Sequence, residues 1–426
     1  MSTVTVKPEE VGMSSAGLQN VTQLVRRYVD QGRYAGTVSV VARRGEVVHF
    51  EANGLMDVER GQAMRPDTVF RIYSMTKPIV SVGLMLLYEQ GLFQLNDPVS
   101  AYLPELADLK VFAGGDADRY EVRDPARPMT VRDLLMHTSG LATLNGKNPV
   151  GELYRRAGLT GMDSTATLAE LPRQLAELPL QADPGSRWIY GISTDLVGLL
   201  CEVISGQPLD QYLQDRLFDP LGMVDTGFSV PEPNIHRLAA AYTYAEPGGA
   251  DAEPPDGANA EPGGQQPRAY ALADDPWTSA YTRPRTFLSG VAGLVSTAGD
   301  YLRFGRMLAG GGSLDGVRVM GPRTLRFMTA NHLPDGRDLA SMADFGGETR
   351  REGQGFGLGF GVLLDQTVAQ TIGTTGEYFW GGAASTAFWV SPADDLITIF
   401  LTQLRPSATY AIRRELRAAV YASLTD

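Results

Sequence analysis

The sequence predicts an α/β protein in which one sheet is built from both ends of the chain around a mainly helical insertion. Three observations carry that reading. The chain opens with an amphipathic helix followed by a hairpin pattern. It closes with three strand-like runs and a last helix. Between them, from about residue 75 to 280, helical spacing dominates.

Taken in order, Leu18, Val21, Leu24, Val25, Tyr28 and Val29 recur at three- and four-residue intervals, one face of a helix over 15–30. The β-branched run 36–42, a turn at Arg44-Gly45-Glu46 and the run 47–51 read as a hairpin. Residues 74–90 read as a helix that is apolar almost all round, the pattern of a buried one. Pro78 must then stand in its first turn, where a missing N–H costs little, and Gly91 is its stop. Further helices are expected at 194–204, closed by Gly206, at 209–217, stopped by Pro220, and at 297–308 and 322–330. Strands are expected at 357–364, 384–390 and 396–402, the last two joined by a turn at 391–395, with a final helix over 409–424. The Pro-, Gly- and acid-rich run 245–268 offers nothing to a core and reads as a mobile surface insertion and a candidate lid.

Composition narrows the function. Of the 426 residues, 43% are hydrophobic and 20% charged, near the values of soluble globular proteins. No apolar run approaches the ~20 residues that span a bilayer, so no membrane partner is expected. The net charge is −12 and the basic residues form no long cluster, which argues against a nucleic-acid partner. Cys201 is the single cysteine, so no internal disulfide can form. The first residues lack the basic and apolar halves of a secretory signal, and the expected location is cytoplasmic.

Chemistry concentrates in Ser74-Met75-Thr76-Lys77. Positions i and i+3 of a helix share a face, which sets the Lys77 amine beside the Ser74 hydroxyl. A serine is a weak nucleophile until a neighbouring base takes its proton. A lysine can be that base if burial or a neighbouring cation lowers its pKa, and an apolar helix is a fitting place for it. The helix N-terminus adds positive potential that stabilises anions. Tyr190, in Trp188-Ile189-Tyr190-Gly191-Ile192-Ser193 ahead of a helix, offers a phenol that could share a proton with Ser74 and Lys77. Trp380-Gly381-Gly382-Ala383 stands just before the expected strand at 384–390, and its glycines let backbone approach a ligand. The N–H groups of Ser74 and Ala383 could then form an oxyanion hole. Taken alone, Tyr190 reads better as a buried tyrosine with a satisfied hydroxyl, and the Trp380 segment better as a bulge at a strand start. There is no Gly-x-Ser-x-Gly elbow, no Gly-rich phosphate loop and no paired His or Cys spacing, so neither metal nor cofactor is expected. His137 reads as structural, near a helix end closed by Gly140.

Together and in this order, these residues resemble the class C β-lactamase-like superfamily of serine hydrolases. Its motifs would be Ser74–Lys77, Tyr190 and Trp380-Gly381-Gly382, with family-like stretches at 134–141, 217–226 and 293–300. The resemblance runs from about residue 10 to the C-terminus. It implies a fold of the β-lactamase and penicillin-binding-protein type: an antiparallel sheet flanked by helices, plus a helical subdomain. The α/β subdomain would be 1–73 with 284–426, and the helical one 74–283, carrying the insertion.

Two departures set the expected activity. Class C enzymes carry Tyr-x-Asn where this chain has Tyr190-Gly191-Ile192, and Lys-Thr-Gly where it has Trp380-Gly381-Gly382. Loss of that lysine removes a cation for the carboxylate of a β-lactam or peptide terminus. Tryptophan supplies an apolar wall instead. This makes the chain most similar to the family VIII carboxylesterases. The resemblance implies a serine carboxylesterase acting on small ester substrates through a Ser74, Lys77 and Tyr190 acyl-enzyme mechanism, with Trp380, Gly381 and Gly382 at the substrate. The alternatives are a β-lactamase or D-amino-acid peptidase or amidase, and an acyltransferase to a small alcohol or amine.

Overall fold

The computed structural model describes residues 4–143, 148–159, 166–245, 270–343 and 352–426. The insertion expected at 245–268 lies, apart from Ala245, outside them. An eight-stranded antiparallel sheet is assembled from both ends of the chain. Its order is Gln354–Phe356, Gly361–Leu363, Tyr378–Gly381, Ala387–Ser391, Leu396–Leu401, Gly36–Arg43, Glu46–Asp57 and Gln62–Ala63. The two ends meet at its centre, where Val40 pairs with Ile399.

Period-two alternation sorts these central strands between two cores. Val38, Val40, Ala42, Ile397, Ile399 and Leu401 face the larger one, with Phe304 and Met307 of the helix Ala298–Ala309. Val41, Leu396, Phe400 and Trp389 face the other, covered by the helices Ser15–Asp30 and Ile412–Tyr421. The first of these helices buries Leu18, Val21, Leu24, Val25 and Tyr28, the stripe its spacing predicts.

The helix Thr76–Glu89 buries every residue from Thr76 to Leu87, as its all-round apolar pattern requires. It packs on the helix Ser193–Ser205, and Tyr212 donates to the Gly83 carbonyl at 2.8 Å. Pro78 stands in its first turn, and Gly91 follows it at φ 73°.

Some boundaries differ from expectation. The run 357–364 is not one strand but the turn and second arm of a hairpin, because Gly359 at φ 92° reverses the chain between Gln354–Phe356 and Gly361–Leu363. The strand expected at 384–390 begins at Ala387, and Trp380 and Gly381 belong to the preceding strand. Pro220 does not stop the helix after 209; it stands in the short segment Asp219–Leu221, and Gly222 at φ 63° ends it. The middle also holds strands, Ala241–Tyr244 and Tyr270–Asp274, joined to Leu404–Arg405.

The C-terminal helix is fastened to the sheet by a buried carboxylate. Glu377 accepts from the Arg417 guanidinium and the Tyr421 hydroxyl, and Arg417 also lies 4.8 Å over the Trp389 ring. Burial pushes the Glu377 carboxyl above its usual range in spite of these partners. Removing one partner of a buried pair leaves an uncompensated charge. Arg417→Ala is therefore expected to destabilise the fold by about 3 kcal/mol or more, read by urea unfolding. Glu377→Gln in the same background should recover part of the loss.

Candidate active site

Ser74 lies in a single 3-10 turn, Tyr73–Met75, that runs into the helix Thr76–Glu89. Side chains three apart share one face where the turn runs on into the helix. The Lys77 amine accordingly reaches the Ser74 hydroxyl at 3.1 Å. Tyr73, just before the serine, is held at φ 43°, a left-handed conformation that costs a bulky residue on the order of 1–3 kcal/mol. Such cost is tolerated where surrounding packing dictates the backbone. Here the Tyr301 hydroxyl donates to the Met75 carbonyl, and the Ile72 N–H to the Leu294 carbonyl, both at 3.1 Å.

Lys77 is 2% exposed. Besides Ser74 it donates to the Val291 carbonyl at 3.0 Å, and its amine stands 4.5 Å from the centroid of the Tyr190 ring. Tyr190 is set by an aromatic cluster: Trp188 stacks on it at 5.7 Å, His137 lies at 5.0 Å and Trp380 at 5.4 Å. Trp380 also donates its indole N–H to the Tyr190 hydroxyl oxygen at 3.2 Å, and Phe356 meets the Trp380 ring edge-on at 5.2 Å. Gly191 is required beside this tyrosine, since a Cβ there would fall 2.4 Å from the Ala142 carbonyl oxygen.

The strand Tyr378–Gly381 brings the third segment. A Cβ on Gly382 would lie 2.5 Å from the Ile72 carbonyl oxygen and 2.3 Å from the Thr386 hydroxyl. Only glycine lets this turn rest against the backbone that leads into Ser74. Its shape is fixed by the Gly382 N–H to Thr386 carbonyl bond at 2.9 Å, and by Arg413, which donates to the Gly382 and Thr386 carbonyls at 2.8 Å each. Ala383, next in the turn, is exposed. Ser74, Lys77, Tyr190, Trp380 and Gly382, far apart in sequence, thus converge on one place.

Two neighbours had no chemical reading in the sequence. His137 was expected at a helix end closed by Gly140. The helix Val131–Leu135 instead ends at His137 itself, at φ 59°, while Gly140 packs against the Ala182 carbonyl further on. His137 is fully buried between Trp188, Tyr190 and Phe356, and its Nδ1 has no hydrogen-bond partner among the described residues. Burial, reinforced by the Lys77 charge, holds its pKa well below the usual 6.5. Asp195, in the first turn of the helix Ser193–Ser205, is likewise buried, and accepts from the Ser289 hydroxyl at 2.8 Å and the Val291 N–H at 3.1 Å. Burial pushes its carboxyl up to about 6 against these bonds and the Lys77 charge. The backbone at Val291 carries no sequence signal, so a link from Asp195 to Lys77 was not readable.

Comparison with known proteins gives the family. The β-lactamase family model matches residues 21–423. The chain belongs to the β-lactamase family. Esterase EstB of Burkholderia gladioli is 32% identical over 99% of this chain and 100% of its own length. Monacolin J acid methylbutanoyltransferase of Aspergillus terreus is 27% identical over 80% of this chain and 78% of its own. Among solved structures, EstCE1, described as a hydrolase with promiscuous acyltransferase activity, superposes with a TM-score of 0.76 at 27% identity, covering 95% of this chain and 98% of that one. The chain is a serine hydrolase of this family and stands with its family VIII esterase-like members, on the antiparallel sheet and flanking helices that the resemblance implied. No helix among the described residues is long and apolar enough to cross a membrane.

The buried imidazole gives a stability prediction. Below pH 6.5 the unfolded chain protonates this histidine while the native state resists, so the native state loses stability as pH falls through that window. The loss is at most about 1.4 kcal/mol per pH unit for one group. In His137→Phe, the drop in unfolding free energy between pH 7 and pH 5 should be smaller than in the wild type, as measured by urea titration at both values.

Proposed function

We propose that this chain is a serine carboxylesterase that hydrolyses short-chain carboxylic esters through an acyl-enzyme on Ser74. The observation that carries the reading is the buried Lys77 amine, 3.1 Å from the Ser74 hydroxyl and facing Tyr190, in a site whose third motif offers Trp380 in place of a cation.

The Ser74 oxygen attacks the ester carbonyl while its proton passes to the Lys77 and Tyr190 pair. The N–H groups of Ser74 and Ala383 hold the oxyanion, aided by the positive end of the helix that starts at Thr76. Collapse of the tetrahedral adduct breaks the bond to the alkoxy group, which leaves as the alcohol with a proton delivered through Tyr190. Water then attacks the acyl-enzyme, the same pair accepts its proton, and the carboxylic acid departs as the Ser74 hydroxyl is restored. Gly381 and Gly382 let the acyl carbonyl approach the backbone, and Trp380 walls the apolar side. A wall without a cation suits neutral acyl groups better than substrates bearing a carboxylate, which sets β-lactams and peptide C-termini behind simple esters.

A second reading is transfer of the acyl group to an alcohol, by the same steps with the alcohol in place of water. It is supported by the likeness to EstCE1 and to the methylbutanoyltransferase. A competing alcohol that diverts product from acid to new ester would favour it.

Ser74→Ala should abolish turnover of p-nitrophenyl acetate and butyrate, and Lys77→Ala should lower kcat/KM by about 10²–10⁴. Nitrocefin should be cleaved slowly or not at all. Near-normal ester turnover by Lys77→Ala would refute the mechanism; fast nitrocefin cleavage with inert esters would refute the substrate class. Trp380→Phe keeps an aromatic wall but removes the N–H given to Tyr190. Loss of one such hydrogen bond predicts a roughly 2- to 10-fold fall in kcat, with KM for the butyrate ester little changed.

A further inference from the structure

We propose that Asp195 is the positioning residue that fixes the Lys77 amine on Ser74, acting through the backbone of residues 289–291. The inference rests on the reading of Lys77 as the base and adds the group that holds it.

The connection is short and continuous. Asp195 Oδ1 accepts from the Ser289 hydroxyl at 2.8 Å and from the Val291 N–H at 3.1 Å. The Ser289 oxygen in turn accepts from the N–H groups of Val291 at 3.2 Å and Ala292 at 3.3 Å. The N–H side of this tight turn is thereby pinned to the start of the helix Ser193–Ser205, while the carbonyl of the same Val291 receives the Lys77 amine at 3.0 Å. Gly290 between them rests against the Thr194 carbonyl, where a Cβ would fall 2.2 Å from the oxygen. The turn therefore has little freedom to shift the Val291 carbonyl, and Asp195 is its anchor.

The residue type argues for more than a helix cap. A buried carboxylate costs several kcal/mol unless its surroundings compensate the charge. A serine or asparagine would hold the two donors with less desolvation. A carboxylate adds a fixed negative charge close to Lys77, whose attraction is among the influences that lower the Asp195 pKa. When Lys77 takes the Ser74 proton, the resulting ammonium keeps the Val291 carbonyl as partner and gains the field of Asp195. No bond is made or broken at Asp195, so it is not itself a catalytic residue.

The test is steady-state hydrolysis of p-nitrophenyl butyrate at pH 8 by the full chain. Asp195→Ala is expected to lower kcat about 100-fold, the cost of misplacing a catalytic group by about 1 Å, with KM within about twofold. Asp195→Asn keeps an oxygen for Ser289 and Val291, and should lose about tenfold or less. The deciding measurement is the double variant. If Asp195 acts through Lys77, then Lys77→Ala/Asp195→Ala is no slower than Lys77→Ala, whereas a residue that merely stabilises the fold would lower both backgrounds by the same factor. Should Asp195→Ala not fold, Ser289→Ala carries the same test, with an expected loss of about 3- to 10-fold that vanishes in the Lys77→Ala background. Unchanged kcat in both Asp195→Ala and Ser289→Ala, or additive losses in the double variants, would overturn this proposal and leave the Lys77 mechanism standing. Near-normal turnover by Lys77→Ala would overturn both.

Discussion

Lys77 carries an amine into a helix that is largely apolar and buried, and the surrounding structure receives it. A buried amine needs acceptors. Two are at hand: the Ser74 hydroxyl from its own helix turn and the Val291 carbonyl from a segment more than 200 residues later. The Tyr190 ring faces it with π density at 4.5 Å. These partners come from parts of the chain that meet only when the sheet and the helical middle are packed together. The pairing of Val69–Arg71 with Val295–Thr297 does part of this locally, since it ties the approach to Ser74 to the strand just after the 289–294 turn.

The tryptophan in the third motif puts a neutral ring beside Tyr190. A lysine there would place a second cation near Lys77 and offer a partner for a substrate carboxylate. The indole does neither. Its N–H still reaches the Tyr190 oxygen at 3.2 Å, so a hydrogen-bond donor is kept while the charge is gone. The indole is only 9% exposed and held by Phe356, Trp188 and Tyr190, which makes it a rigid wall rather than a mobile arm.

The sequence spoke most clearly where one periodicity ruled a whole segment. The helix 15–30 and the buried helix after Ser74 were legible because apolar spacing admits no second reading over that length, and Arg44-Gly45 marked the first hairpin. Expectation failed where glycine decided the path. Gly359 turned one expected strand into a hairpin, and Gly382 moved a strand start three residues on, because close backbone approach depends on what lies opposite. The meeting of Ser74 and Lys77 was readable because positions three apart on a helix share a face. Tyr190 and Trp380 each had a structural reading as good or better, and only the resemblance raised them above it. His137 was read as a structural residue, and its place against Tyr190 was hidden because a left-handed histidine leaves no pattern in sequence. The Val291 carbonyl had no signal at all, being backbone.

Several costly features meet at this site: Tyr73 in a left-handed conformation, a buried Lys77, a buried Asp195 and the His137 imidazole, whose Nδ1 has no hydrogen-bond partner among the described residues. Each would be removed by selection for stability alone. They persist together because the flanking layers hold them. The helix Thr76–Glu89 is buried along almost its whole length, and the two cores on either face of the sheet supply the apolar contacts that tolerate a strained and charged interior. The same packing that offsets their cost also denies the charged groups any alternative geometry. Lys77 in particular is held between the Ser74 hydroxyl at 3.1 Å and the Val291 carbonyl at 3.0 Å, with 2% of its surface exposed.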